Sequence, residues 1–235
     1  MTSIVNTTAE AVSVIQDGAT VLMGGFGNAG QPIDLIDALL QAGATDLTVV
    51  NNNAGQGDAG LALLIKEGRV RKVICSFPRQ SDSWHFDAAY REGTVELELV
   101  PQGNLAERLR AAGAGIGGFF TPTGYGTELA RGKETRMIEG RGYVLEGPLR
   151  GDVALIKARA ADTHGNLVYR KTARNFGPVM AAAAAHTIVE VDGVVEAGSL
   201  DPETIVTPGI YVDAVVALPS TSAEPQSDSS EEAAA

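Results

Sequence analysis

Cysteine is almost missing from this chain of 235 residues: Cys75 is the only one. No intrachain disulfide can form, so the fold cannot rely on covalent cross-links. Cys75 sits in the apolar run Val73-Ile74-Cys75 and is expected to be a buried core thiol, because a reactive thiolate needs a cationic, exposed setting. Histidine is nearly as scarce. His85, His164 and His186 are scattered without the spacing of a ligand set, and no metal is expected. Positive charge is also short, with 18 Lys and Arg against 29 Asp and Glu and a formal net charge of −11. That balance argues against a nucleic-acid partner held on a broad basic face. It leaves room for a polyanionic ligand met by local N–H groups and a few cations. No apolar run is long enough to cross a bilayer and no secretory leader is recognisable, so the expected setting is the cytoplasm, with no membrane partner.

What the chain does have is 44% hydrophobic residues and 28 glycines, which suits a close-packed α/β core. Residues 1–16 place Val5, Ala9, Val12 and Ile15 at helical spacing. Strands are expected at 19–23, 47–50 and 72–76, with helices at 32–42, closed by Gly43, and at 60–67. Val95, Leu97 and Leu99 alternate with glutamates, the pattern of a half-buried strand near an edge. Asn104, with Glu107 three residues later, reads as the capping box of the next helix. Residues 113–126 hold many glycines and predict a loop or elbow, and 127–150 predict short strands laid over the main sheet. Further core strands are expected at 153–158 and 187–191, separated by an alanine-rich helix over 178–185. Strands alternating with helices imply right-handed crossovers. The expected fold class is therefore α/β: an open, mostly parallel sheet with helices on both faces and a small β-rich insertion at about 113–150. The globular domain would span 1–217. Residues 218–235 are rich in Ser, Pro and Glu and are expected to form a disordered acidic tail.

One stretch carries most of the functional signal. Val21-Leu22-Met23 runs into Gly24-Gly25-Phe26-Gly27-Asn28-Ala29-Gly30, and Pro32 opens a helix. A strand, a glycine turn and a helix N-terminus together can hold an anion, because glycines allow close backbone approach and the first helical N–H groups point at negative charge. The ligand is therefore expected to carry phosphates. Gly25, Gly27 and Gly30 also match the dinucleotide fingerprint. That fingerprint wants an acidic residue at the end of the next strand. Here the strand ends in Asn51-Asn52-Asn53, which disfavours a nicotinamide or flavin site. A tight turn without a ligand is the bland alternative.

The same stretch resembles the signature of family I CoA-transferases, and further motifs follow in that family's order. They are Asn51-Asn52-Asn53-Ala54-Gly55, Pro101-Gln102-Gly103-Asn104-Leu105-Ala106-Glu107-Arg108, Thr121-Pro122-Thr123-Gly124-Tyr125-Gly126-Thr127, Gly165-Asn166-Leu167, Arg170-Lys171, Ala173-Arg174-Asn175-Phe176 and Thr207-Pro208-Gly209-Ile210. The resemblance covers residues 10 to 216 and is to the first of the family's two halves, which occur as separate subunits or as one fused chain. It implies that coenzyme A is a substrate, with no permanently bound cofactor. It also implies a nucleophilic glutamate on the companion second subunit, because no Ser-Glu-Asn-Gly-like motif occurs here; no catalytic residue is expected in this chain. Gly24, Gly25, Phe26, Gly27, Asn28, Ala29 and Gly30 would be the CoA-binding loop. Asn52 and Gln102 would wall the active site and offer oxyanion donors, with satisfaction of turn backbone as their alternative role. An A2B2 assembly of two copies of each half is implied.

The resemblance implies a ping-pong exchange through a glutamyl-CoA thioester, which splits one difficult displacement into easier ones. Ser76-Phe77-Pro78-Arg79-Gln80-Ser81-Asp82-Ser83 and Gly115-Ile116-Gly117-Gly118-Phe119-Phe120 resemble the 3-oxoadipate transferases. Arg79 is then a candidate clamp for a second carboxylate, with a surface or interface arginine as the alternative. Transfer from succinyl-CoA to acetoacetate, and a non-catalytic acyl-CoA-binding protein, are the competing functional readings.

Overall fold

Strands whose residues are apolar throughout need cover on both faces, and this chain supplies it. The computed structural model describes residues 2–218. The elements begin with β1 (Ser3–Val5), α1 (Thr8–Val12), β2 (Thr20–Met23), α2 (Ile33–Ala42), β3 (Leu47–Val50) and α3 (Leu61–Lys66). They continue with β4 (Val70–Cys75), α4 (Trp84–Glu92), β5 (Glu96–Leu99) and α5 (Gln102–Gly113). A separate trio follows: β6 (Phe119–Thr121), β7 (Thr135–Ile138) and β8 (Arg141–Glu146). The chain then returns through β9 (Gly151–Asp162), β10 (Leu167–Val168), α6 (Gly177–Ala183), β11 (Ala184–Val195) and β12 (Ala214–Ala217).

The main sheet runs β1-β12-β11-β9-β2-β3-β4-β5, with β10 added to β9. Every pairing along that path is parallel, and β10 alone pairs antiparallel. Period-2 alternation sends neighbouring residues to opposite cores. Val21, Val49 and Val73 pack with Leu35, Leu39, Leu64 and Phe86 on one side. Leu22, Val50 and Ile74 pack with Leu105, Leu109 and Met180 on the other. Each such buried side chain contributes about 1.5–3 kcal/mol. Helices therefore cover both faces, as expected. The strand order steps from β2 to β5 in one direction and from β9 to β12 in the other, so it reverses between β2 and β9. In open α/β sheets, ligands bind outside the carboxyl ends of the strands at such a reversal. Gly24 lies there, its N–H donating to Leu155 O at 2.9 Å.

Several expectations change in detail. Residues 1–16 are not one helix: β1 pairs with β12, Ser3 opposite Ala214, before the short α1. Asn104 does not cap α5, because Pro101, with φ −52, already stands at the cap and the helix starts at Gln102. Asn104 is instead buried, and its Nδ2 donates to Glu146 Oε1 at 3.3 Å. β9 and β11 are each 12 residues long and pair from Ala184 opposite Gly151 to Val195 opposite Asp162. β6, β8 and β7 form their own antiparallel sheet. It is tied to α5: Asn104 reaches Glu146, Arg108 Nε donates to Gly147 O at 3.0 Å, and Leu149 N–H donates to Arg108 O at 3.0 Å, while Lys133 Nζ meets Glu146 Oε1 at 2.7 Å within the insertion itself. The expected tail lies outside the described residues from 219 onward. Leu218 is described, and its N–H donates to Val191 O at 2.8 Å.

Candidate active site

The carboxyl ends of β2, β3, β4 and β5 deliver four turns to one crevice. The glycine turn after β2 folds back on itself: Phe26 N–H donates to Ala29 O at 3.0 Å, and Ala29 N–H returns to Phe26 O at 3.2 Å. Gly27, with φ 57, sits at its tip. Gly25 N–H donates to Asn175 Oδ1 at 3.1 Å, and Gly27 N–H donates to Asn53 Oδ1 at 3.0 Å. With Gly24 bonded to Leu155, the donors of Gly24, Gly25, Phe26, Gly27 and Ala29 all serve the protein. Asn28 and Gly30 keep their N–H groups available among the described residues, and the Asn28 side chain accepts from Gln56 Nε2 at 2.7 Å. Gly30 has φ 71, and a Cβ there would lie 2.0 Å from Ala173 O, so only glycine allows the 173–175 backbone to come this close. Phe26 is 48% exposed and stands at the mouth of the crevice.

The start of α2 differs from the sequence expectation of an open anion site. Glu190, 0% exposed on β11, places Oε2 3.0 Å from Leu35 N–H and Oε1 2.9 Å from Lys157 Nζ. The helix dipole is thus answered by the protein's own carboxylate. Burial pushes the Glu190 carboxyl above the ordinary carboxylate range, against the bonds from Lys157 and Leu35 that favour its charged form.

The turn after β3 is a ladder of amides. Asn51 Nδ2 donates to Met23 O at 2.8 Å, and Asn53 N–H donates to Asn51 Oδ1 at 2.8 Å. Asn52 is 1% exposed. Its Oδ1 accepts from Gln102 Nε2 at 2.8 Å and from Ser76 Oγ at 2.7 Å, and its Nδ2 donates to Asn53 Oδ1 at 3.3 Å. The two walls read from the sequence are therefore brought together, with unequal roles. Asn52 is an inner support whose carbonyl orients the Gln102 amide. Gln102 is exposed at the first position of α5.

Gln102 lines a cleft of about 360 Å³ together with Phe26, Gly103, Ala106, Asn175, Phe176 and Val179. This wall is apolar apart from two neutral amides, and no carboxylate or thiol belongs to it. Cys75 is fully buried and its thiol is pushed up to about 12, chiefly by desolvation, so it takes no part. Arg79 stands apart from the cleft wall. Its Nε donates to Asp87 Oδ1 at 2.6 Å on an exposed surface of α4. Among the described residues no cluster of His, Cys, Asp and Glu could hold a metal ion, and no helix is long and apolar enough to cross a membrane.

Sequence reasoning about single residues passes over Ser76 and Asn175. Asn175 binds Gly25 through Oδ1, and its Nδ2 donates to Ala29 O at 2.9 Å, clamping the glycine turn from across the strand reversal. Its only sequence signal is the motif Ala173-Arg174-Asn175-Phe176 that contains it.

Known proteins share this fold. The family model described as Coenzyme A transferase matches residues 5–218. The corresponding subunit of the 3-oxoadipate CoA-transferase of Pseudomonas putida is 65% identical over 210 residues, which is 89% of this chain and 91% of that protein. The corresponding subunit of the probable succinyl-CoA:3-ketoacid coenzyme A transferase of Bacillus subtilis is 50% identical, over 92% of this chain and 90% of that one. Among solved structures, an acyl-CoA transferase from E. coli O157:H7, crystallised as a thioester complex with CoA, superposes with a TM-score of 0.80 at 23% identity. The match covers 94% of this chain and 48% of that polypeptide, and it speaks for the fold. On the family match across nearly all the described residues, this chain belongs to the coenzyme A transferase family.

Proposed function

We propose that this chain is the first of the two subunits of a CoA-transferase that moves CoA from succinyl-CoA to 3-oxoadipate, working with its companion second subunit in the cytoplasm in an A2B2 assembly. The observation that carries the two-subunit reading is the cleft wall: Phe26, Gln102, Asn175 and their apolar neighbours supply donors and shape but no nucleophile. The attacking carboxylate then comes from the companion. It adds to the succinyl-CoA carbonyl and expels CoA thiolate, leaving a mixed anhydride. The thiolate attacks the glutamyl carbonyl of that anhydride and releases succinate. 3-Oxoadipate takes the CoA by the reverse steps.

Each addition builds charge on a carbonyl oxygen. The Gln102 amide has one N–H committed to Asn52 and a second to offer, and as a neutral donor it stabilises an oxyanion without shifting the pKa of the glutamate. The support of Asn52 from Ser76 fixes that amide before the reaction begins. The acceptor assignment rests on the relative at 65% identity. Arg79, whose Nε is held by Asp87 at 2.6 Å, is the candidate clamp for the distal carboxylate.

The test is co-expression with a companion chain bearing a Ser-Glu-Asn-Gly-like motif, followed by assay with succinyl-CoA against 3-oxoadipate and acetoacetate. Exchange is expected for the pair and none for this chain alone, with 3-oxoadipate preferred. Full activity of the isolated chain would overturn the two-subunit reading, and a preference for acetoacetate would overturn the acceptor.

A further inference from the structure

The glycine turn spends most of its donors on the protein, and Glu190 occupies the first turn of α2. A ligand with several phosphates therefore has to find its counter-charge elsewhere on this acidic chain. The structure offers one place beside the cleft. Arg159, Arg170, Lys171 and Arg174 are all exposed, and among the described residues none of them forms an ion pair or donates a side-chain hydrogen bond. Elsewhere the cations are largely engaged: Lys66, Arg71, Lys72, Arg79, Arg108, Arg110, Arg131, Lys133, Arg136 and Lys157 each pair with a carboxylate.

These free cations line two hollows. A cavity of about 680 Å³ is walled by Lys171, Thr172, Arg174 and Asn175, with Tyr169 and Glu203 facing them. A smaller one of about 270 Å³ is walled by Gly30, Arg159 and Arg170, with the Glu190-paired Lys157 and with Asp192. The single-turn 3-10 helix Lys171–Arg174 divides them, and Lys171 holds φ 49, a left-handed conformation that a lysine adopts only at a cost. The larger cavity and the Gln102 cleft share Asn175 in their walls. A ligand can thus lie with its anionic end on this turn and its opposite end against Phe26 and Gln102.

We propose that Arg170, Lys171 and Arg174, with Arg159 beside them, seat the nucleotide phosphates of coenzyme A, while the glycine turn shapes the path of the thiol arm. Guanidinium groups match phosphate oxygens in pairs, and an exposed lysine adds a mobile point charge. Glu203 and Asp192 oppose them across the hollows and set a limit on how strongly a generic anion is held. This reading rests on the chain being part of a CoA-transferase. Its test, however, is binding and not turnover.

The experiment is calorimetric titration of coenzyme A into the full chain co-purified with its companion. Lys171→Ala/Arg174→Ala is compared with wild type and with Arg141→Ala, a cation of the insertion with no ion pair among the described residues. The double variant is expected to bind at least about tenfold more weakly and to lose part of the salt dependence of binding, with Arg141→Ala unchanged. In the transferase assay the KM for succinyl-CoA should rise by a similar factor while kcat at saturation holds. Pyrophosphate should displace CoA only at far higher concentration. Unchanged affinity in the double variant, no measurable binding to wild type, or equal potency of pyrophosphate would each overturn the proposal. Absence of exchange activity in a complex that still binds CoA through these residues would overturn the proposed function and leave this site standing.

Discussion

The two sides of the crevice are built on opposite plans. On the β3–β5 side, Asn51, Asn52, Asn53, Ser76 and Gln102 are neutral and bonded to one another, and Asn52 is closed off from solvent. On the β9 side, Arg159, Arg170, Lys171 and Arg174 are charged, exposed and, among the described residues, unpaired. The first arrangement suits orientation, because a buried amide with all its partners cannot turn away when charge develops. The second suits capture, because a solvated cation gives up little when an anion arrives. Gly30 and Asn175 join the two sides, so the crevice works only if that seam stays closed.

The largest expected effect comes from forcing the seam. Gly30→Ala sets a Cβ 2.0 Å from Ala173 O at φ 71, and should lower stability by about 4 kcal/mol. A drop in the urea midpoint with unchanged slope checks it. Next comes the orienting side. Asn52→Ala leaves Gln102 and Ser76 without their shared acceptor, and should reduce kcat about 100-fold with little change in KM. Gln102→Ala should cost about as much, and the double variant little more than either, since they act as one unit. Steady-state kinetics of the four proteins decide this, and additive losses would separate the two roles.

Glu190→Gln removes the charge that answers both Leu35 N–H and Lys157 Nζ. It should cost about 2 kcal/mol in thermal unfolding, because Lys157 loses its partner while half-buried. Arg79→Ala probes the acceptor and not the seam. It should reduce the activity ratio of 3-oxoadipate to acetoacetate about tenfold, and an equal fall for both would end the clamp assignment.

The smallest effect is pH-dependent. Burial alone would raise the Asp162 carboxyl, but bonds from the Asn166 side chain and from the Asn166 and His164 N–H groups outweigh it and hold it below the ordinary range. Its contribution is therefore present above the unfolded-state pKa of about 3.9 and is lost as pH falls through the lower folded value. Asp162→Asn should cost about 1 kcal/mol at neutral pH, with the gap to wild type closing below about pH 4 in acid-unfolding curves.

Much of the architecture could be read from local pattern. The nearly all-apolar Leu47–Val50, buried throughout, the helix stop at Gly43 with φ 86, and the edge position of Glu96–Leu99 all appear as their sequences imply, although Leu99 is 44% exposed and breaks the expected alternation of burial. What failed depended on distant partners. β1 looked helical because three residues carry no period of their own, and it is a strand only because β12 lies beside it. Asn104 looked like a cap because its partner Glu146 is 42 positions away. At the site, the position of the glycine turn was legible and the fate of its donors was not. Asn175, 150 residues along from Gly25, takes one of them, and Leu155 takes another. A local phosphate cradle could not be distinguished from an internally bonded turn without that knowledge.

The isolation of Cys75 has a practical side. As the single thiol of the chain, fully covered at the end of β4 and with its ionisation displaced to about 12, it stays silent to alkylating reagents in every molecule whose central strands are in place. The rate at which a thiol probe reacts is thus a clock for the departure of β4. That strand leads directly into Ser76, so the same clock times the loss of the support beneath Gln102.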